Sequence, residues 1–196
     1  MTEAINRPET QVDFLVREAT FEDGASILST LHKSTLEAYT ECIPEVTPEM
    51  LEHRFTTQFG DQTTVAKLYG EDVRYKKDSQ LWLVAEQEGS VQGVLEVDQD
   101  FEGTGSRVVK MLYVLPEAQG TGMCGNLLLS GLKWLKADIN DVSLRVISTN
   151  EKAISFYEHF NFFLDRQIPQ SELKSTPFPN GYQYQEAEML RRAAPL

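Results

Sequence analysis

The sequence predicts a mixed α/β (α+β) domain of about seven strands and about four helices, and three observations carry that prediction. Two strand-like runs, Leu81 to Glu86 and Val91 to Asp98, are joined by Gln87-Glu88-Gly89-Ser90, whose glycine lets the chain reverse as an antiparallel hairpin. A proline-free stretch from Gly122 to Ala137, with Leu127, Leu128, Leu129, Leu132, Trp134 and Leu135, reads as a largely buried helix. A strand at Val142 to Ser148 and a helix at Glu151 to Phe160 follow it, so strand and helix alternate in the second half.

The remaining elements fill in around these. Asp13 to Glu18 alternates apolar and polar residues and reads as an opening strand. From Phe21, apolar residues Ile27, Leu28, Leu31, Leu36 and Tyr39 recur at roughly helical spacing until Pro44 closes the region. Thr47-Pro48-Glu49 combines an N-cap, a first-turn proline and an early acid, so a second helix should run from Pro48 to about Gln58. Gly60 to Gln80 is polar and weakly periodic, which predicts a loop or a short mobile helix. Arg107 to Leu115 extends the sheet begun by the hairpin, and Phe162 to Gln167 and Tyr182 to Leu190 are two final strands, separated by a long loop holding Pro169, Pro177, Pro179 and Gly181. A flexible tail over residues 1–11 and a single domain over 12–196 is the expected organisation.

Composition removes several function classes. The chain carries 30 acids against 18 Lys and Arg, a formal charge of −12, which argues against a generic nucleic-acid binder. Residues 1–106 hold 21 acids and 8 bases while residues 107–196 hold 9 and 10, so the first half favours a cationic partner and the second tolerates an anionic ligand. A solvated acidic surface is the plainer explanation of the same numbers. The longest apolar runs fall far short of the ~18–20 residues of a membrane span. The start lacks signal and transit features, so the cytoplasm is expected. Cys42 and Cys124 form no Cys-x-x-Cys pair and no helical His-x-x-x-His occurs, so no metal is expected.

The most informative stretch is Val114-Leu115-Pro116-Glu117-Ala118-Gln119-Gly120-Thr121-Gly122-Met123-Cys124-Gly125, a glycine-rich turn between a strand and a helix. Glycines let the main chain bend with no Cβ in the way, and the unpaired N–H groups of a helix start favour an anion such as a pyrophosphate. A dinucleotide fingerprint is a poor match: four residues separate Leu115 from Gly120, and Asp138 and Asp141 precede the next strand instead of ending it. A Walker A loop would require a lysine that the turn does not have.

Gln119-Gly120-Thr121-Gly122-Met123-Cys124 resembles the acyl-CoA-binding signature Gln/Arg-x-x-Gly-x-Gly/Ala of the GCN5-related N-acetyltransferase (GNAT) superfamily. Upstream, Met111 to Pro116 resembles that family's fourth strand. Downstream, Asn150-Glu151-Lys152-Ala153-Ile154-Ser155-Phe156-Tyr157-Glu158-His159-Phe160-Asn161-Phe162 is similar to its Asn-x-x-Ala-x-x-Phe-Tyr-x-x-x-Gly-Phe segment. The likeness covers about Val12 to Gln167, with two departures. Cys124 replaces a Gly/Ala but is small enough to approach a phosphate, and Asn161 replaces a glycine but tolerates positive φ.

The resemblance implies a central mixed, mostly antiparallel sheet and an N-acetyltransferase that moves acetyl from acetyl-CoA, as cosubstrate, to a primary amine by direct attack. It implies cofactor contacts from Leu112, Tyr113 and Val114 of the fourth strand, from Gln119, Gly120, Thr121, Gly122, Met123 and Cys124 of the turn, and from Asn150 and Ala153. Asn150 reads equally well as a simple helix cap. Direct attack needs a neutral amine, a donor for the developing oxyanion and a stabilised leaving thiolate. The resemblance points to Tyr157 as general acid for the thiolate, although outside that context the residue would read as a half-buried packing aromatic.

For the base, Glu96, Asp98, Asp100 and Glu102 are the acids on or near the central strands. Glu96, inside the third strand, is the favoured one, although a solvated strand-face acid is the plainer reading of the residue and ordered water is the alternative base. Lys110 stands where some relatives carry a glutamate. Cys124 at a helix start reads as packing ahead of a nucleophile, and His32, His53 and His159 as structural. Tyr39 and Glu41 fall where relatives form the acceptor wall. The expected acceptor is a small-molecule or peptide amine of cationic character, with no nucleic-acid or membrane partner, and the resemblance leaves a homodimer open. A non-catalytic acyl-CoA-binding regulatory module is the alternative from another class.

Overall fold

A computed structural model describes residues 13–59, 62–74, 77–169, 172, 178 and 180–194. The expected tail over 1–11, and Pro177 and Pro179 of the late loop, lie outside the described residues. The strands are β1 (Leu15–Glu18), β2 (Gln80–Gln87), β3 (Ser90–Phe101), β4 (Ser106–Val114), β5 (Val142–Ile147), β6 (Phe163–Gln167) and β7 (Glu186–Arg191). The α-helices are α1 (Gly24–Cys42), α2 (Pro48–Phe59), α3 (Gln62–Arg74), α4 (Met123–Trp134) and α5 (Glu151–His159). Seven strands form one sheet in the order β1-β2-β3-β4-β5-β7-β6, antiparallel throughout except for the β4–β5 pair.

Period-2 alternation along the central strands supplies both faces. Leu83, Ala85, Leu95 and Val97 point to one side, where Leu127, Leu128 and Leu132 of α4 close the main core and α5 packs at its margin. Trp82, Val84 and Val94 point to the other, where Ile27 and Leu31 of α1 and Val73 of α3 cover them. A third cluster, with Ile43, Val46, Leu51, Phe178 and Tyr184, seals the end of β5 at Ile147.

The structure corrects the sequence reading at a few elements. Of the loop and the short helix left open for the polar stretch after Gly60, the structure has a helix, α3, the fifth, and at 13 residues it is longer than expected. Val73 and Tyr69 pack against the core, and Gly70 is a point of close backbone approach instead of a breaker. The last strand starts at Glu186 rather than Tyr182, because Tyr184 is committed to the third cluster. The long leucine-rich helix ends at Trp134, short of Ala137, with Lys136 at φ 53° just beyond it.

Candidate functional site

β4 and β5 pair as parallel strands only at Arg107 with Val142, Val108 with Ser143 and Val109 with Leu144. Beyond that point Lys110–Val114 and Arg145–Ile147 diverge, and β5 stays bound to β7 as far as Ile147 with Glu186. The register against β3 shifts at the same place, where Glu96 faces Met111 and Val97 faces Val109, leaving Lys110 as the extra residue of a β-bulge. The parting of the strands opens a cleft of about 790 Å³. One rim of β4 is thereby left with main-chain N–H and C=O groups that no strand partner takes.

At the end of β4 the chain makes one 3-10 turn, Pro116–Ala118, and then Gly120 and Gly122 adopt φ of 78° and 85°. A Cβ at Gly120 would meet nothing within 4 Å, so the main chain there is open to an approaching group. Gly122 is the N-cap of α4 and contributes no capping side chain, which leaves the first-turn N–H groups for an external acceptor, with the helix dipole favouring an anion. Thr121 Oγ donates to the Ala118 carbonyl (2.7 Å), and Gln119 Nε2 donates to Glu37 of α1 (2.6 Å), which fixes the turn from both sides.

Asn150 caps α5, its side-chain oxygen accepting from the Ala153 N–H at 2.9 Å. Ala153 and Tyr157 lie on one face of that helix and both line the cleft, as do Leu112, Tyr113, Val114, Gln119, Gly120, Cys124 and Asn150. Thr121, Gly122 and Met123 complete the turn without lining the cleft; the Met123 side chain is fully buried in the core, so only its main chain is available to a ligand. Tyr39 and Glu41 stand on the cleft wall at the end of α1.

Burial raises the Tyr157 phenol well above its ordinary value, so it holds its proton across the neutral range. Burial also pushes the Cys124 thiol up to about 12, which keeps it a thiol and disfavours a nucleophilic role. Asn161 takes φ 64° at the position where the sequence pattern has glycine.

Glu96 is not brought to this constellation. It is 2% exposed, does not line the cleft, and its carboxylate lies against Lys110 Nζ. Burial raises its carboxyl pKa, with Lys110 opposing that shift. Lys110 itself lines the cleft.

Several cleft residues carry signals that sequence reasoning passed over. Ser34 is a buried polar residue on the apolar stripe of Ile27 and Leu31, and its hydroxyl donates to the Val114 carbonyl at 3.0 Å. The Tyr184 hydroxyl accepts from that of Tyr39 at 3.3 Å. Glu186 alternates with Ala187, Glu188 and Met189 as a half-buried strand requires, but its place in the cleft depends on β7 entering the sheet beside β5.

The model of the Acetyltransferase (GNAT) family matches residues 36–162. No curated protein matches the chain in sequence. Among solved structures it is similar to the PaiA N-acetyltransferase of Thermoplasma acidophilum in complex with coenzyme A, with 20% identity over 92% of this chain and 99% of that one and a TM-score of 0.68. It is similar to yncA of Salmonella typhimurium, solved with its cofactor acetyl-CoA, with 21% identity, 94% and 98% coverage and a TM-score of 0.63. The ribosomal-protein-S18-alanine N-acetyltransferase of Escherichia coli gives 14% identity, 94% and 96% coverage and a TM-score of 0.62. At these identities the likeness is one of fold.

Proposed function

The chain belongs to the acetyltransferase (GNAT) family, and from that premise we propose that it transfers an acetyl group from acetyl-CoA to a cationic primary amine by direct attack. The observation that carries the reading is the cleft itself. A gap between parting strands, a glycine turn with an uncapped helix start, and a buried phenol open onto one continuous space.

The chain's own groups fit the cosubstrate. The first-turn N–H groups of α4, with Gly120 and Gly122 leaving room, suit a pyrophosphate. The rim of β4 that has parted from β5, along Leu112, Tyr113 and Val114, suits an amide-bearing arm, and Asn150 and Ala153 border it from α5. Acetyl-CoA supplies the activated acyl thioester. Tyr157, protonated at neutral pH, donates to the departing sulfur. Oxyanion stabilisation falls to a main-chain N–H of β4. The cleft wall carries Glu37 and Glu41 from the acidic first half and Glu186 and Glu188 from β7, which suits a cationic amine.

Titration calorimetry with acetyl-CoA, CoA and NAD, followed by an assay of thiol release with an amine panel, tests this. Selective acetyl-CoA binding with amine-dependent release is expected. Binding without release would favour a non-catalytic acyl-CoA module, and absence of acetyl-CoA binding would overturn the reading of the turn.

A further inference from the structure

Acetyl transfer to a cationic amine requires that the nitrogen first give up a proton, because an ammonium has no lone pair with which to attack. Among the described residues, four carboxylates line the cleft, and their partners tell them apart. Glu37 accepts from Gln119 at 2.6 Å. Glu188 accepts from Arg166 Nε at 2.7 Å. Glu41 has a side chain 56% exposed, with Lys152 Nζ 3.8 Å away. Glu186 combines shielding with availability: its side chain is 18% exposed, no hydrogen bond reaches its carboxylate among the described residues, and Arg145 Nη1 stands off at 3.7 Å.

Its position is equally distinctive. Glu186 opens β7 in register with Ile147, the last residue of β5, beyond the point where β5 has left β4. The groups facing it are Arg145 from β5, Tyr113 from β4 and, along its own strand, Glu188, while Tyr184 is joined to Tyr39 of α1 beside it. This is the side of the sheet covered by α1 and the third cluster. Tyr157 packs with the core on the other side, under α4 and α5, and reaches the same cleft. A proton acceptor and a proton donor therefore flank the gap from opposite faces.

The geometry points to Glu186 as the catalytic residue that takes the proton from the acceptor amine. The assignment rests on the acetyl-transfer reading above. One proton passes from the ammonium to the Glu186 carboxylate, leaving the nitrogen its lone pair. The N–C bond then forms at the thioester carbonyl carbon and the C–S bond breaks, its electron pair leaving on sulfur. Tyr157 protonates that sulfur and is restored by the second proton lost from nitrogen, so the products are an amide, a free thiol and one proton released from Glu186 to solvent. Burial raises the Glu186 carboxyl above its ordinary value, with Arg145 opposing, which moves it toward the range where a base can both take and return a proton.

The test compares wild type with Glu186→Gln and Glu186→Asp, using ethanolamine, putrescine and glycinamide as probe acceptors between about pH 6 and 10. The Gln variant is expected to lose about 100-fold or more in kcat/KM near neutral pH, the size of a general-base contribution. That deficit should shrink as pH approaches the amine's own pKa, the Asp variant should recover part of the activity, and acetyl-CoA affinity by calorimetry should be unchanged. A Gln variant as active as wild type at every pH overturns the assignment and leaves the transferase intact. So does a variant that loses acetyl-CoA affinity together with activity, which would make Glu186 a structural residue. A wild-type protein that binds acetyl-CoA but releases no thiol with any probe amine overturns the transferase reading, and the role of Glu186 with it.

Discussion

Burial holds the Tyr157 phenol protonated where the proposed thiolate would leave, and the Cys124 thiol that also lines the cleft is pushed up to about 12, so the phenol is the group this reading assigns to the sulfur. Tyr157→Phe, which keeps the ring packed against Phe156 and Phe162, is therefore expected to cut kcat by about 100-fold while leaving acetyl-CoA affinity unchanged. Steady-state kinetics beside calorimetry checks both halves, and an unaltered kcat would remove Tyr157 from the chemistry. At this scale the sequence was a good guide wherever a residue's role is local. Asn150 caps its helix and Asn161 takes positive φ because backbone chemistry a few residues away demands it. The sequence does not tell where Glu96 and Glu186 are placed. Glu96 meets Lys110 through a bulge in the β3–β4 pairing that no local pattern announces, and Glu186 meets the cleft because β7 enters the sheet beside β5.

Among the elements, α3 is the one that its own sequence least announces, and its docking shows why. Gly24 of α1 and Gly70 of α3 meet at backbone contact: a Cβ on Gly24 would lie 2.3 Å from the Ala66 carbonyl oxygen, and one on Gly70 would lie 2.6 Å from that of Phe21. Neither obstacle is a side chain that can swing aside, so Gly70→Ala forces the helices apart and is expected to cost about 1–3 kcal/mol. For a chain of this size that corresponds to a fall in Tm of roughly 2–12 °C, measurable by thermal melting. An unchanged Tm would show that α3 docks without that contact. Periodicity leaves a loop and a short helix both open for this stretch, because the apolar pattern is weak and Gly70 reads as a breaker until its close backbone contact is seen. By contrast the β2–β3 hairpin and α4 were legible at once, since alternation, a positive-φ Gly89 and a leucine stripe are local signals.

Over the whole molecule, topology escaped the sequence where it matters most for function. The seven strands were countable, but the insertion of β7 between β5 and β6, and the parting of β4 from β5 that makes the cleft, are products of long-range pairing. Charge, in contrast, is fully written in the sequence, and with the fold it sets how stability changes with pH. Arg17 grips Asp23 with two bonds of 2.7 and 2.9 Å, and the Thr20 N–H adds a third at 2.7 Å, holding that carboxyl below its ordinary value of 3.8. A depressed carboxyl stabilises the fold fully above its unfolded value, and that stabilisation is lost as pH falls through the lowered folded value. Glu96 and Glu186 run the opposite way. Burial raises both above 4.5, so the fold holds their protons more tightly than the unfolded chain does, and the advantage is lost as pH rises through their folded values. Self-repulsion among the excess acids also grows above the pI of about 4.7, toward the −12 reached at neutral pH. All three contributions place the stability maximum in mildly acidic solution, near about pH 5, with a fall on either side. Denaturant unfolding from about pH 3 to 8 checks the curve. Asp23→Asn should lower its plateau by about 1–3 kcal/mol and flatten the acid limb alone, since a neutral amide keeps no charge-assisted bond to lose. If the acid limb of that variant stays as steep as in wild type, acid unfolding begins at other carboxylates and the Arg17–Asp23 pair is not its trigger.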